Sequence, residues 1–333
     1  MWARVHAAAL ARDPRARLTW VASRTRASAD ALQADFAVPN ATNRLHDLLA
    51  APDVDAVIVS TPPATHADIA VQVLQAGKHL LLEKPLATTL DDADRLVAEA
   101  AARPDLVALE ASCRSSRLQP KFHFIRDLID SGRLGTVYHF HYHELKLATY
   151  VEYNPRAASW AADRSQAGGG TLFDWGEYDL SFHLGVLGDV HRLVDVHAWK
   201  QAGLRSPRAA GRVADVEQHA AALLRFDPPL TCYYERGGGA HGELPPLSRI
   251  YGTRAGIHFQ YLPWGSDEIQ LFEEGPDGDQ VRETLTVDMT RTHDDENAAT
   301  LAHFLDCILD AAPPAMTLPL ARKHLEIILR ILQ

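Results

Sequence analysis

The sequence predicts an α/β N-terminal domain with a parallel sheet, followed by an α+β C-terminal domain with a large, mostly antiparallel open sheet. Three observations carry this. Over the first third of the chain, helix-period stretches alternate with short apolar runs, as right-handed strand–helix–strand units require. From about Cys113 the pattern changes to longer runs of period-two alternation, which mark strands with one half-solvated face. A length of 333 residues, 47% hydrophobic and 23% charged, suits about two domains. The expected division is 1–114 and 115–333.

The chain opens on a helix with Val5, Ala8, Ala9 and Leu10 on or near one face, and a strand follows from Leu18 to Ala22. A second helix runs near Ser28–Ala37, and Leu45 to Leu49 forms a short one. VDAVIVSTPP is a continuous apolar run stopped by prolines, as a buried parallel strand would be. Thr65 can cap a helix with Ile69, Val73 and Leu74 on its apolar face and Gly77 just past its end. HLLLEKP is a strand closed by Pro85, Thr89 caps the next helix, and LVALEAS is one more strand. In the second part, a helix near Phe122–Ser131 ends at Gly132. The strands TVYHFHYHELKL, HRLVDVHAW, EQHAAALLRF, LTCYYERG, SRIYGTRAGIHFQY and EIQLFE follow. Helices near Gly170–Leu187, Glu296–Asp310 and Leu320–Leu332 are expected to cover one face of their sheet.

The formal net charge of −10 argues against nucleic acid or an anionic membrane as the main partner. Cys113, Cys232 and Cys307 match no disulfide framework or zinc spacing, which suits a reducing compartment. There is no run of about 18 apolar residues and no N-terminal signal-peptide pattern. A cytoplasmic protein is expected.

Two stretches carry chemistry. In LLLEKPLATT, Glu83 and Lys84 stand at the C-terminal end of a strand, where open α/β sheets bind ligands. A lysine there can pin a hydroxyl or polarise a carbonyl; the tripeptide alone fits an ordinary solvated lysine equally well. In QAGGGTLFDWGEYDLSFHLG, glycines precede a helix on which Asp174 and Tyr178, four residues apart, share a face. A carboxylate and a phenol so placed can grip a sugar hydroxyl and donate a proton, or can be a satisfied polar pair.

Together and in this order, STPPATH, GKHLLLEKPLATT, RLQP and GGGTLFDWGEYDL resemble the glucose–fructose oxidoreductase/inositol dehydrogenase/rhizopine-catabolism (Gfo/Idh/MocA) family over nearly the whole chain. The resemblance implies a Rossmann domain, an open-sheet C-terminal domain, and hydride transfer between NAD(P) and sugars, polyols or related carbonyls. It implies that Lys84 is the active-site lysine of the E-K-P motif and Asp174 the aspartate of D-x-x-x-H. Tyr178 replaces the usual histidine, as in some relatives, and is expected to act as the acid/base. A phenol ordinarily holds its proton at neutral pH, and a neighbouring ammonium favours the phenolate left after donation. Thr61, Pro62 and His66 match the loop beside the cofactor, next to Glu83 and Lys84. Trp160 and Arg164 fall where the family often lines the substrate site.

Ser23 and Arg24 bear on cofactor choice. An acid after the second strand holds the ribose of NAD, whereas an arginine accommodates the 2′-phosphate of NADP. This chain has no acid there, so NADP(H) is expected over NAD(H). Aligned on the family, Ala3 occupies the final small position of the dinucleotide fingerprint G-x-G-x-x-G/A. The first strand and the earlier glycines would then lie upstream, and Met1 is expected to be an internal methionine of a longer reading frame. A chain without that strand is expected to bind its cofactor poorly.

The expected function is therefore an NAD(P)-dependent oxidoreductase acting on a sugar, polyol or diol. Lys84 and Tyr178 would handle the proton and Asp174 would orient the substrate or Lys84. The alternative is a non-catalytic NAD(P)- or sugar-sensing protein of the same fold. A homodimer or homotetramer is expected, because an open sheet face needs cover. His139, His141 and His143 share one strand face, but no cysteine or carboxylate spacing supports zinc, and a polar sheet face is the expected use. ERGGGAHG precedes no helix and reads as a mobile loop rather than a phosphate cradle.

Overall fold

The apolar runs of the first third become short parallel strands in the computed structural model, which describes residues 2–148, 160–203, 215–241, 245–289 and 293–333. Two units divide the chain: Met1–Arg114 with Arg291–Arg322, and Ser115–Thr290 with Lys323–Gln333.

The first unit runs α1 (Trp2–Leu10), β1 (Trp20–Ala22), α2 (Arg26–Phe36), β2 (Asn40–Thr42), α3 (Leu45–Leu49), β3 (Ala56–Val59), α4 (His66–Gln75), β4 (His79–Leu82), α5 (Leu90–Ala101) and β5 (Ala108–Glu110). Thr25 and Thr89 cap α2 and α5, each accepting the backbone N–H three residues on. Thr65 does not cap α4. A short 3₁₀ turn, Pro63–Thr65, runs straight into that helix, and the Thr65 hydroxyl donates to the Pro62 carbonyl instead. On α1 the buried residues are His6, Ala7 and Ala9; of the expected face, Ala9 is buried, Val5 and Leu10 are half-buried and Ala8 is exposed.

The parallel sheet stands in two pieces. β1 pairs with β2, while β3, β4 and β5 form a separate sheet in that order. Among the described residues, the other edges of β1 and β3 have no strand partner. The pieces meet through side chains at their N-terminal ends, where Trp20 Nε1 donates to Asp53 Oδ1 at 3.1 Å. Burial follows pairing: all three β1 residues are half-buried, whereas Leu80, Leu81 and Leu82 of the doubly paired β4 are fully buried.

Helix α9 (His293–Leu309) belongs to the first unit rather than to the cover of the second sheet. Its Leu301 and Leu305 pack on Ala9, Arg12 pairs with Asp295, and Arg15 pairs with Asp306. The start of α10 (Leu318–Ile331) is held there too, by a bridge between Thr317 and Leu109.

The second unit contains α6 (Pro120–Asp130), β6 (Val137–Lys146), α7 (Arg164–Ala167), α8 (Thr171–Val186), β7 (Arg192–Ala202), β8 (Glu217–Asp227), β9 (Leu230–Gly238), β10 (Leu247–Gly252), β11 (Ala255–Phe259), β12 (Glu268–Glu274) and β13 (Gln280–Thr286). These strands form one sheet in the order β13-β12-β11-β10-β6-β9-β8-β7, antiparallel except for the β6–β9 pair. SRIYGTRAGIHFQY is two strands, β10 and β11, paired through a tight turn at Thr253-Arg254. The glycine-rich ERGGG is mostly strand: Glu235–Gly238 ends β9, and Ala240 N–H still donates to Lys146. Gly242 lies outside the described residues.

Helix α8 covers one face of this sheet and is buried almost all round. The opposite face carries His139, His141 and His143, which the sequence placed together. His139 meets Thr231, His141 meets Arg249, and His143 meets the Pro245 carbonyl. No helix among the described residues is long and apolar enough to cross a membrane.

The glycines before α8 are explained by packing. A Cβ on Gly170 would lie 1.9 Å from the Glu217 carbonyl oxygen. Substituting Gly170→Ala is therefore expected to destabilise the protein by about 3 kcal/mol or more, the upper range for overpacking. The urea midpoint measures this, and an unchanged midpoint would refute the packing account.

Candidate active site

In the first unit, the site is built where β3, β4 and β5 end. Glu83 follows β4 directly and is buried. Its Oε1 accepts from Arg114 Nη1 at 2.7 Å and meets His6 Nε2 at 2.8 Å. The Arg114 guanidinium lies 4.0 Å from the centre of the Trp2 ring. Burial alone would raise the Glu83 pKa, but the Arg114 charge and the His6 hydrogen bond hold it well below the usual carboxylate range. Trp2 and His6 are both on α1, so this cluster ties the first helix to the loop after β4. Ala3 lies between them, in the same turn.

His66 makes the second tie. Its ring is buried, with Nδ1 2.7 Å from the Pro85 carbonyl and Nε2 2.8 Å from the Thr61 carbonyl. Burial lowers its pKa despite both carbonyls. The loop after β3 and the loop after β4 are thus stitched together by one imidazole. Thr61 and Pro62 lie in the first loop, with Thr61 exposed, and Lys84 lies half-buried in the second. Both ring nitrogens of His66 face carbonyls, so its position supports the loop rather than presenting a nitrogen outward.

Ser23 follows β1, and its N–H donates to the Thr42 carbonyl at 3.2 Å. Arg24 is exposed and makes no ion pair among the described residues, whereas Arg26 pairs with Asp30 at 2.7 Å.

In the second unit, Asp174 and Tyr178 lie one turn apart on α8, as their spacing requires. Asp174 is half-buried in the first turn and Tyr178 is buried. The rotation of α8 about its axis is fixed by the next residue. Asp179 accepts from Tyr261 and Tyr234 hydroxyls at 2.5 Å each, and from Nη2 and Nε of Arg236 at 2.7 Å each. Arg236 also pairs with Glu144 at 2.7 Å, and Lys146 meets the other oxygen of Glu144 at 3.1 Å. The start of α8 is held by Glu217, whose carboxylate accepts the N–H groups of Gly170 and Phe173 at 2.7 and 3.1 Å. Trp160 is half-buried in a turn, and Arg164 is exposed at the start of α7.

Sequence reasoning missed His6, Arg114, Asp179, Arg236 and Glu217. Their signal is weak, because each takes its meaning from a partner distant in sequence. A cue existed for Asp179 and Arg236: a charged residue on an otherwise apolar buried helix or strand must have a partner.

Replacing Glu83 by Gln removes the carboxylate that pairs with the buried Arg114 charge. The loss expected is about 3–5 kcal/mol of stability, read from urea midpoints near neutral pH. Because the folded pKa of Glu83 is depressed, its contribution is complete above about pH 4.5 and fades as the pH falls below that value. The gap between wild type and Glu83→Gln should therefore narrow between about pH 4.5 and pH 3. A gap that is constant with pH would show that the ion pair is not its source.

Residues 1–110 match the family model described as oxidoreductase family, NAD-binding Rossmann fold, and residues 122–258 match the GFO/IDH/MocA C-terminal domain. Inositol 2-dehydrogenase of Rhizobium meliloti (strain 1021) is 31% identical over 266 residues, covering 76% of this chain and 76% of that protein. A 1,5-anhydro-D-fructose reductase of Ensifer adhaerens is 36% identical over 150 residues, covering 44% of this chain and only 41% of that protein. A levoglucosan dehydrogenase structure in complex with NADH shares the fold with a TM-score of 0.84 at 20% identity, covering all of this chain and 93% of the other. With both halves matched in order and a relative above 30% identity over three quarters of its length, the chain belongs to the Gfo/Idh/MocA family.

Proposed function

We propose that this protein is an NAD(P)-dependent oxidoreductase that transfers hydride between nicotinamide C4 and a sugar, polyol or related diol or carbonyl. The observation that carries the reading is the convergence at one edge of the first unit. His6 on α1, the Thr61 loop and the Glu83–Lys84–Pro85 loop are locked together by buried polar contacts at the C-terminal ends of parallel strands. That edge is where an open α/β sheet takes a nucleotide. The names of the relatives support a carbohydrate-like substrate.

The residues present fit such a cofactor. Ala3, a small residue in the first turn of α1, allows close approach of a pyrophosphate. Thr61, Pro62, Glu83 and Lys84 form the neighbouring wall, with His66 holding the loops in place. Ser23 can hydrogen-bond the ribose, and the exposed Arg24 favours a 2′-phosphate, so NADP(H) is preferred over NAD(H). The bound nicotinamide would supply or accept the hydride. Lys84 and Tyr178 move the proton: in reduction Tyr178 gives its phenolic proton to the developing alkoxide, and the Lys84 ammonium stabilises the phenolate left behind. Asp174 orients the substrate, with Trp160 and Arg164 lining it. In this reading the protein works in the cytoplasm as a homodimer or homotetramer, covering the sheet face on which Trp199 and Leu223 are exposed.

A second reading is a non-catalytic sensor of the same fold that binds nucleotide or sugar without turnover. Fluorescence titration with NADPH and NADH, followed by turnover on a panel of sugars, inositols and aromatic diols, separates the two. The enzyme reading predicts tighter NADPH binding and turnover on at least one panel member. On that substrate, Lys84→Ala and Tyr178→Phe should each lower kcat by about 10²–10⁴-fold. Arg24→Ala should erase the preference for NADPH while leaving NADH binding in place. Full turnover by Lys84→Ala would refute the proton assignment, and binding without turnover on any member would favour the sensor.

A further inference from the structure

We propose that Glu110 is a positioning residue for Lys84, a buried carboxyl whose charge state sets how tightly the Lys84 amine holds its proton. The inference rests on the reading of Lys84 as the proton-handling lysine. Glu110 is the last residue of β5, in register with Leu82, the last residue of β4 and two positions before Lys84. It is completely buried. Oε2 accepts the Ser112 N–H at 2.8 Å, whereas Oε1 makes no hydrogen bond among the described residues. Glu83, the other buried carboxylate of this cluster, is held by Arg114 and His6. Glu110 is therefore the carboxyl short of donors, and a carboxyl short of donors in a dry site takes up a proton readily.

The electrostatics agree with the geometry. Burial, opposed by hydrogen bonds from Ser112, pushes the Glu110 pKa up to about 7; the Glu83 charge adds to the rise and the Lys84 charge opposes it. The titratable and charged groups of the cluster are Glu83, Lys84, Arg114, His6 and His66. Glu83 stays ionised across the neutral range, whereas Glu110 changes charge close to neutrality. When Glu110 loses its proton, the new negative charge strengthens the hold of Lys84 on its own. The strand ends thus carry one carboxyl and one amine whose titrations are coupled.

The test is chemical labelling of the intact chain with acetic anhydride, with Lys84 and the other lysines followed by peptide mass spectrometry across a range of pH. Glu110→Gln keeps the shape and removes the charge. Lys84 should then label about tenfold faster than wild type near pH 9, since a single nearby charge moves a pKa by roughly one to three units. Lys200 in the second unit should be unaffected, and Glu110→Asp, which restores a carboxyl, should return Lys84 toward the wild-type profile. A Lys84 rate within about twofold of wild type in Glu110→Gln overturns the proposal. Should that variant not fold, the wild-type chain alone decides. Coupled titration predicts that the logarithm of the Lys84 rate rises with a slope below one around pH 7, and a slope of one throughout overturns it. Turnover keeps the two readings apart: Lys84→Ala with undiminished activity refutes the role of Lys84 but leaves the effect of Glu110 on its labelling intact.

Discussion

A carboxylate removed from water either finds donors or takes up a proton, and that constraint organises both units. Asp179 receives four donors, so it anchors α8 to the sheet by hydrogen bonds whose directions leave the helix one rotational setting. Tyr178 and Asp174 take their directions from that setting. Glu83 has Arg114 and His6, and through them α1 is fixed to the loop carrying Lys84. Glu217 receives two N–H groups from the start of α8, yet burial still raises its pKa. Helix N–H groups alone compensate a buried charge less fully than a guanidinium does.

The same logic separates support from chemistry. Buried residues with several polar contacts, such as His66 and Asp179, hold loops and helices in place. Lys84 and Asp174 are only half-buried and so remain reachable from solvent. The support cannot be exchanged for apolar packing without also giving up direction. A hydrogen bond fixes an angle, and a methyl contact does not.

Much of this was legible in the sequence, and the failures have physical causes. The capping threonine Thr89, the strand just before Lys84 and the face shared by Asp174 and Tyr178 all follow from local spacing. Local spacing failed where tertiary context decided. Strand β13 was missed because it is an edge strand with nearly every residue exposed, so it carries no apolar alternation. Helix α9 was assigned to the wrong neighbour because an amphipathic pattern says that a face is buried, not against what. The glycines before Thr171 did not reveal what approaches them, and at Gly170 it is the Glu217 carbonyl. The polar partners of Glu83 stand 77 residues before it and 31 after it, beyond the reach of any local pattern.

The most direct test of the proposed chemistry follows the hydride itself. Reduced cofactor carrying deuterium at one face of nicotinamide C4 is turned over in ordinary water with a carbonyl substrate, and the alcohol product is examined by mass spectrometry and NMR. The account predicts deuterium on the carbinol carbon, delivered from one C4 face only, and an oxygen-bound proton from water. Product whose carbinol carbon carries hydrogen from water, with deuterium retained on the cofactor, would contradict it.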